Sequence, residues 1–176
     1  MTDMTEQQVR EEVRAFLKAN WDPNLSLVAW RNILVDSGWG APHYPKEWLG
    51  KGLPAAMSLV VDEEIREFGA VGAAKMGIRT LAGATILAHG SDLHKQTYLR
   101  GILTGQETWC QLFSEPGSGS DLAGAATRAD FKDGKWIING QKVWTSLAHV
   151  AQWCFVVCRT EVGSKRHQGL SFLLVP

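Results

Sequence analysis

Residues 117–120 read Gly-Ser-Gly-Ser and directly follow Ser114, Glu115 and Pro116. Glycine allows a ligand to approach the backbone closely, and successive amides in a turn can surround an anion. The loop therefore predicts a phosphate or diphosphate site, while a Gly-Ser turn without a ligand accounts for the same spacing. It is not a Rossmann fingerprint, because no βαβ unit and no acidic residue for a ribose follow it.

A second candidate site is the run Trp144, Thr145 and Ser146, which we predict at the end of a strand covering residues 143–145. An indole plane beside a hydroxyl can stack on a flat ring system and donate a hydrogen bond to it. A tryptophan that packs inside a barrel, with hydroxyls capping the strand, accounts for the same residues. The two motifs together favour a ligand site more strongly than either motif alone.

The first half of the chain has helical periodicity, with Gly90 ending one helix and Ser91 or Asp92 capping the next. A glycine- and proline-rich loop is expected at residues 38–52. Helix faces are predicted from Val9, Val13, Phe16 and Leu17; from Met57, Val61, Ile65 and Phe68; from Ile78, Leu81, Ala82, Ile86 and His89 within residues 78–89; and from Tyr98, Leu99, Ile102 and Leu103.

From about residue 105 the period changes to that of β-strands. Strands are predicted at residues 108–113, 127–131, 136–138, 143–145, 153–159 and 170–175. Asp133-Gly134 and Asn139-Gly140 favour tight hairpins, because both residue types tolerate positive φ. The fold class is therefore α+β, with an all-α domain at residues 1–105 and an incomplete antiparallel β-barrel or sandwich at residues 106–176. Most of the eight tryptophans are expected in the core.

Composition excludes several function classes. Lysine plus arginine equals aspartate plus glutamate at 18 each, so we predict no nucleic-acid partner. No apolar run is long enough to span a bilayer, and residues 1–14 lack a secretory apolar region, so we predict a cytoplasmic protein. Cys110, Cys154 and Cys158 lie among apolar neighbours and are interpreted as buried thiols rather than metal ligands. No metal site is predicted.

Taken in order, these features resemble the acyl-CoA dehydrogenase family over essentially the whole chain. The resemblance lies in the helical half, in Gly-Ser-Asp-Leu-His-Lys-Gln-Thr-Tyr-Leu at residues 90–99, in the Ser-Glu-Pro loop and in Asn-Gly-Gln-Lys-Val-Trp at residues 139–144. It implies an N-terminal α domain and a middle β domain with FAD and a CoA thioester between them. The flavin residues that it implies are Gln111, Phe113, Ser114, Gly119, Ser120, Trp144, Thr145 and Ser146.

Three residues depart from the family's usual pattern in the second motif. Ser146 stands where the family usually has threonine, Thr145 replaces an aliphatic residue and Leu147 replaces asparagine. The hydroxyl that the resemblance places near the flavin ring is therefore retained at Ser146, with the loss of a methyl group.

The resemblance also implies a reaction, in which a carboxylate removes the α-proton of an acyl-CoA and the β-hydrogen leaves as hydride to flavin. The product is a trans-2-enoyl-CoA, formed in fatty-acid or related lipid catabolism. The family's carboxylate base lies in a C-terminal helical bundle, so no catalytic residue is assigned here. Glu115 is expected to brace its loop, and Glu63, Glu64 and Glu67 are expected on the solvated face of a helix.

For the substrate, the resemblance places Ser120 at the thioester side and Gly77, Leu81 and Ala84 beside the acyl tail. The small residues Gly77 and Ala84 leave room for a long, branched or ring-bearing acyl group. The expected partners are acyl-CoA, a second acyl-CoA dehydrogenase chain or a second copy of this one, and electron-transferring flavoprotein. The alternative hypothesis is a catalytically silent, truncated family member that acts as a structural or interaction subunit. A third hypothesis is an unrelated α+β ligand-binding module whose Gly-Ser loop binds some other phosphate.

Overall fold

A computed structural model describes residues 4–75 and 77–176. The chain divides into two compact units, with the boundary between Glu107 and Thr108. The described part of the first unit is helical, and its elements are α1 (Glu6–Asn20), α2 (Leu27–Asp36), a 3₁₀ turn (Lys46–Trp48), α3 (Met57–Glu67), α4 (Gly77–His89) and α5 (Asp92–Thr104). None of the described helices is long and apolar enough to cross a membrane.

The helices that we predicted from periodicity are confirmed. Thr5 caps α1 and forms a reciprocal capping box with Gln8, and Val9, Val13 and Leu17 are buried along one face. These side chains share a core with residues of α2 and α3. At the end of α3, Gly69 adopts a φ of 81°, which stops the helix at low steric cost.

The sequence analysis missed α2, which contributes Trp30 and Leu34 to the core of the first unit. Ser26 caps this helix and accepts a hydrogen bond from the amide of Ala29 at 3.2 Å. A cap followed by apolar residues three to four positions apart is a helix signal. This signal was present in the sequence but lies beside a turn that contains Asp22, Pro23 and Asn24.

Glu64 corrects the expectation that the three glutamates of α3 are solvated. Its side chain is buried, with 1% exposure, and it accepts hydrogen bonds from Arg10 at 2.8 Å and from Arg14 at 3.0 Å. Burial acts to raise the pKa of Glu64, but the hydrogen bonds from both arginines outweigh it and lower the pKa. Glu67 is exposed, as predicted, whereas Glu63 is half-buried and pairs with Arg10 at 2.9 Å.

The start of α5 and most of the inner face of α4 follow the prediction. Ser91 caps α5 and accepts from the amide of His94 at 3.3 Å. On α4, Ala82 and Ile86 are buried, but Leu81 is 39% exposed. His89 is also exposed, so Leu81 and His89 were wrongly placed on the inner stripe of this helix.

The second unit contains a mixed sheet, whose strands are β1 (Trp109–Leu112), β2 (Arg128–Lys132), β3 (Lys135–Asn139), β4 (Trp153–Arg159) and β5 (Leu170–Val175). This confirms the α+β class, and the sheet is not closed. β1 and β2 both run parallel to β4, whereas we predicted an antiparallel unit. Only the β2–β3 and β4–β5 pairs are antiparallel.

The predictions that most tryptophans and all three cysteines are buried are confirmed only in part. Trp30, Trp39 and Trp109 are buried, but Trp136 and Trp144 are 45% and 91% exposed, so the tryptophans are less uniformly in the core than predicted. Cys110 and Cys158 are buried free thiols and Cys154 is half-buried. Within the described residues, no group of three or more metal-binding side chains is found.

Candidate functional site

The Ser-Glu-Pro loop is a tight turn with a buried base and an exposed tip. The amide of Glu115 donates to the carbonyl of Ser118 at 2.7 Å, and the reciprocal bond measures 3.1 Å. The hydroxyl of Ser118 donates to the carbonyl of Asp121. Glu115 and Ser118 are buried, whereas Gly119 and Ser120 are exposed. The turn therefore holds its inner residues firmly and presents the backbone of residues 119–120 to a ligand.

Glu115 braces this loop, as we predicted. Its carboxylate accepts from the amide of Ala126 at 2.7 Å, from the amide of Thr127 at 2.9 Å and from Nζ of Lys142 at 2.8 Å. Burial acts to raise the pKa of this carboxyl, but the hydrogen bonds outweigh it and bring the pKa down to about 2. A carboxylate with that pKa and these partners is a structural anion and a poor general base.

The predicted strand at residues 143–145 does not form. Trp144 has a φ of 58° and Leu147 has a φ of 68°, and such values are incompatible with an extended strand. The predicted Asn139-Gly140 hairpin is also absent, because Asn139 is the last residue of β3 and no partner strand follows it. Glycine is required at 140 for a different reason: a Cβ there would lie 2.2 Å from the Thr127 hydroxyl.

The irregular backbone exposes the residues of the second motif in different ways. The Trp144 side chain is 91% exposed and Ser146 is exposed. The Thr145 hydroxyl is buried and has no hydrogen-bond partner among the described residues. Buried hydroxyls normally have a partner. An unsatisfied hydroxyl beside an exposed indole is therefore a feature that a polar, flat ligand would complete.

The structure brings Ser114, in the first candidate motif, next to the segment that carries the second. The amide of Val143 donates to the carbonyl of Ser114 at 2.9 Å, which joins the end of β1 to the segment that carries Trp144. The half-buried ring of Phe113 packs edge-on against Phe155, with centroids 5.6 Å apart. Among the described contacts, none joins residues 119–120 to Trp144, so these residues belong to separate parts of the candidate site.

A basic groove lies between residues 121–126 and the β4–β5 loop, and it was not predicted from the sequence. The Arg159 guanidinium donates to the carbonyls of Ala123 at 3.0 Å and of Arg166 at 3.1 Å, and so ties the β4–β5 loop to the stretch after residue 121. A cavity of about 730 Å³ lies between these segments. It is lined by Asp121, Lys165, Arg166 and His167 in addition to small residues. Three consecutive basic residues at 165–167 were the available sequence signal.

The helical unit contains a smaller cavity of about 170 Å³. Gly40, Ala73, Ala74 and Ala84 are among its walls, whereas neither Gly77 nor Leu81 is. Its polar groups include His43, whose Nδ1 lies 2.9 Å from the Ser58 hydroxyl. Burial lowers the pKa of His43. Of the three residues that we associated with the acyl tail, the structure places only Ala84 at this cavity.

The sequence comparisons bear on both units. The profile of the acyl-CoA dehydrogenase N-terminal domain matches residues 3–106, and the profile of the acyl-CoA dehydrogenase middle domain matches residues 110–176. The chain belongs to the acyl-CoA dehydrogenase family. It is 46% identical over 148 residues to acyl-CoA dehydrogenase IpdE1 of Mycobacterium tuberculosis, a match that covers 84% of this chain and 38% of that protein.

Solved structures of the acyl-CoA dehydrogenase fold are also similar. The ChsE4-ChsE5 complex from Mycobacterium tuberculosis matches with a TM-score of 0.68 and 29% identity, covering all of this chain and 48% of that one. The Tcur3481-Tcur3483 steroid ACAD matches with a TM-score of 0.67 and 28% identity, covering 97% and 47% of the two chains. The chain thus spans about two fifths of the length of the IpdE1 relative and about half of these solved chains.

Proposed function

We propose that this chain forms the flavin- and thioester-binding part of an acyl-CoA dehydrogenase, which oxidises an acyl-CoA to a trans-2-enoyl-CoA in lipid catabolism. The observation that carries the proposal is the bond between the Val143 amide and the Ser114 carbonyl. It brings the exposed Trp144 and the unpartnered Thr145 hydroxyl to the end of the strand that carries Gln111. Family membership supports the same activity.

The residues present fit FAD. Exposed backbone at Gly119 and Ser120 suits its diphosphate, and the Trp144 indole suits a flat ring. The Thr145 and Ser146 hydroxyls would donate to polar atoms at the ring edge, which gives the buried Thr145 hydroxyl the partner it lacks within the described residues. When bound, FAD supplies the acceptor for the hydride that leaves the β-carbon of the substrate.

No carboxylate of the described motifs suits the removal of the α-proton. Glu115 has a pKa of about 2 and accepts three hydrogen bonds, and Glu64 is neutralised by Arg10 and Arg14. We therefore assign the base to sequence outside these 176 residues, either in the same protein or in a second chain. Two solved relatives are described as ChsE4-ChsE5 and Tcur3481-Tcur3483, and pairs of unlike chains support the second arrangement.

The substrate that we infer is a CoA thioester with a ring-bearing acyl group. In the basic groove, Lys165 and Arg166 offer cations for the phosphates of CoA, and His167 offers a ring nitrogen for hydrogen bonding. Gly77 and Leu81 on α4 remain the proposed contacts of the acyl tail, because Gly77 has open space around it and Leu81 is 39% exposed. The name of one relative, a steroid ACAD, supports a bulky ring. Electron-transferring flavoprotein is the proposed electron acceptor.

The proposal is tested by co-expressing the chain with candidate partner chains, supplying FAD and recording the visible spectrum before and after addition of an acyl-CoA panel. We expect bound flavin, and bleaching by ring-bearing acyl-CoAs only when a partner supplies the base. A complex that never carries flavin would overturn the proposal and favour a silent structural subunit. Bleaching by the chain alone would show that a base within these residues had been overlooked.

A further inference from the structure

Lys142 is a buried lysine whose three ammonium hydrogens all have acceptors. Its side chain is 7% exposed. Nζ lies 2.9 Å from the carbonyl oxygen of Phe113, 2.8 Å from that of Val157 and 2.8 Å from Oε1 of Glu115. An ammonium group has three donors and no acceptor, so this arrangement uses its full capacity. Burying a charged ammonium group costs free energy, and each of the three hydrogen bonds of Lys142 links it to a different residue of the second unit.

The elements that Lys142 joins are distant in sequence and adjacent to the proposed flavin site. Phe113 follows β1 and Val157 lies in β4. Glu115 lies in the Ser-Glu-Pro loop, residues 114–120, which we call the phosphate loop because we propose that it binds the FAD diphosphate. Glu115 extends the connection further, because its carboxylate also accepts from the amides of Ala126 and Thr127, just before β2. We call the pair Lys142 and Glu115 the clasp.

The segment that follows Lys142 depends on the clasp for its position. Residues 140–146 belong to no strand, so no ladder of backbone hydrogen bonds fixes them. Their described links to the residues just after β1 are the bond from the Lys142 ammonium to the Phe113 carbonyl and the bond from the Val143 amide to the Ser114 carbonyl, both 2.9 Å long. Trp144 comes directly after these two anchors and has a φ of 58°, a left-handed conformation that surrounding structure must enforce.

We propose that Lys142, held by Glu115, is a positioning residue that sets the distance between the two halves of the flavin site: residues 111–114 with the phosphate loop on one side, and Trp144 to Ser146 on the other. Lys142 does not itself contact the cofactor in this proposal. It acts through the backbone of Phe113 and through the segment that carries Trp144. The inference rests on the proposed function for its ligand, but the mechanical part can be measured without any ligand.

The test separates positioning from stability with three variants. Lys142→Met leaves the Glu115 charge buried without its lysine partner, and should lower both the melting temperature and the affinity for FAD. The double variant Lys142→Met with Glu115→Gln removes both charges, so it should recover most of the decrease in melting temperature caused by Lys142→Met alone. Its FAD Kd should nevertheless stay at least about tenfold above that of the unmodified chain, because the two halves of the site are no longer held together. Lys135→Met, at an exposed lysine of β3, is the control and should change neither quantity.

Amide hydrogen exchange supplies the second measurement. Exchange at Val143 and at the residues of the Trp144 segment should be faster in the double variant, while the amides of β4 keep their protection. If the double variant regains both FAD affinity and slow exchange together with its melting temperature, Lys142 is a structural residue only and the inference is wrong. If the unmodified chain binds no FAD, the proposed function fails, and exchange at residues 143–146 alone then decides whether the clasp positions this segment.

Discussion

Replacement of Trp144 by alanine should weaken FAD binding and leave the fold unchanged. The indole is 91% exposed, so its removal should alter the free energy of unfolding by about 0.5 kcal/mol or less. Stacking of a flat heterocycle on an aromatic side chain contributes about 1–3 kcal/mol. Since about 1.4 kcal/mol corresponds to a factor of ten in affinity, the FAD Kd should rise by a factor of about 5 to about 150. Alanine retains the unfavourable positive φ of this position, so strain is not relieved.

Isothermal titration calorimetry measures the Kd, because tryptophan fluorescence would change with the substitution itself. Trp136→Ala is the matched control in the same unit. Trp136 is 45% exposed and its ring packs against Phe131 at a centroid distance of 5.1 Å, so this variant should lower the melting temperature and leave the FAD Kd unchanged. If Trp144→Ala binds FAD as tightly as the unmodified chain, Trp144 does not stack on the flavin and the site has been wrongly placed.

Three further predictions concern other parts of the chain. Glu64→Gln should lower the free energy of unfolding by about 2–3 kcal/mol, because it weakens charge-assisted hydrogen bonds to a buried carboxylate. Glu63→Gln should lower it by about 0.5 kcal/mol or less. Urea denaturation followed by circular dichroism compares the two variants, and equal effects would contradict the burial of Glu64. Because the folded-state pKa of Glu64 is lowered, this contribution should be complete above about pH 5 and shrink as the pH falls through that lowered pKa. Arg166→Glu should weaken acyl-CoA binding and reduce the salt dependence of that binding, while FAD binding is retained. Calorimetry at two salt concentrations measures both affinities. An unchanged acyl-CoA affinity would exclude the basic groove as the site of the CoA phosphates. Burial raises the pKa of Cys154 to about 11, so iodoacetamide should label it slowly at neutral pH until urea unfolds the chain; fast labelling of the folded chain would contradict this environment.

Local patterns predicted four of the five described α-helices, all but α2, and most strands, because the responsible interactions lie close together in the sequence. The faces of α1 and α3 follow from residues three to four positions apart, and the Asp133-Gly134 hairpin follows from two residues that adopt φ values of 50° and 76°. The phosphate loop and the Trp144 motif were likewise visible as short runs. Each of these features is specified within a few residues.

The features that local patterns did not predict depend on contacts between distant residues. Glu64 is buried because Arg14 reaches it across 50 positions, and the parallel pairing of β1 with β4 joins residues about 44 apart, such as Trp109 and Trp153. The left-handed conformation of Trp144 is equally invisible locally, because tryptophan has no preference for positive φ. Lys142 was part of a recognised motif, yet the role that we propose for it rests on its three acceptors, which lie on distant parts of the chain.

Equilibrium dialysis of the purified chain against FAD, followed by the visible spectrum of the retained protein, tests the central claim most directly. We expect the chain to retain one FAD, with flavin absorption bands altered from those of the free cofactor. It also predicts that the Lys142→Met and Glu115→Gln double variant retains less FAD under the same conditions. A folded chain that retains no FAD would contradict the assignment of the flavin site to these residues.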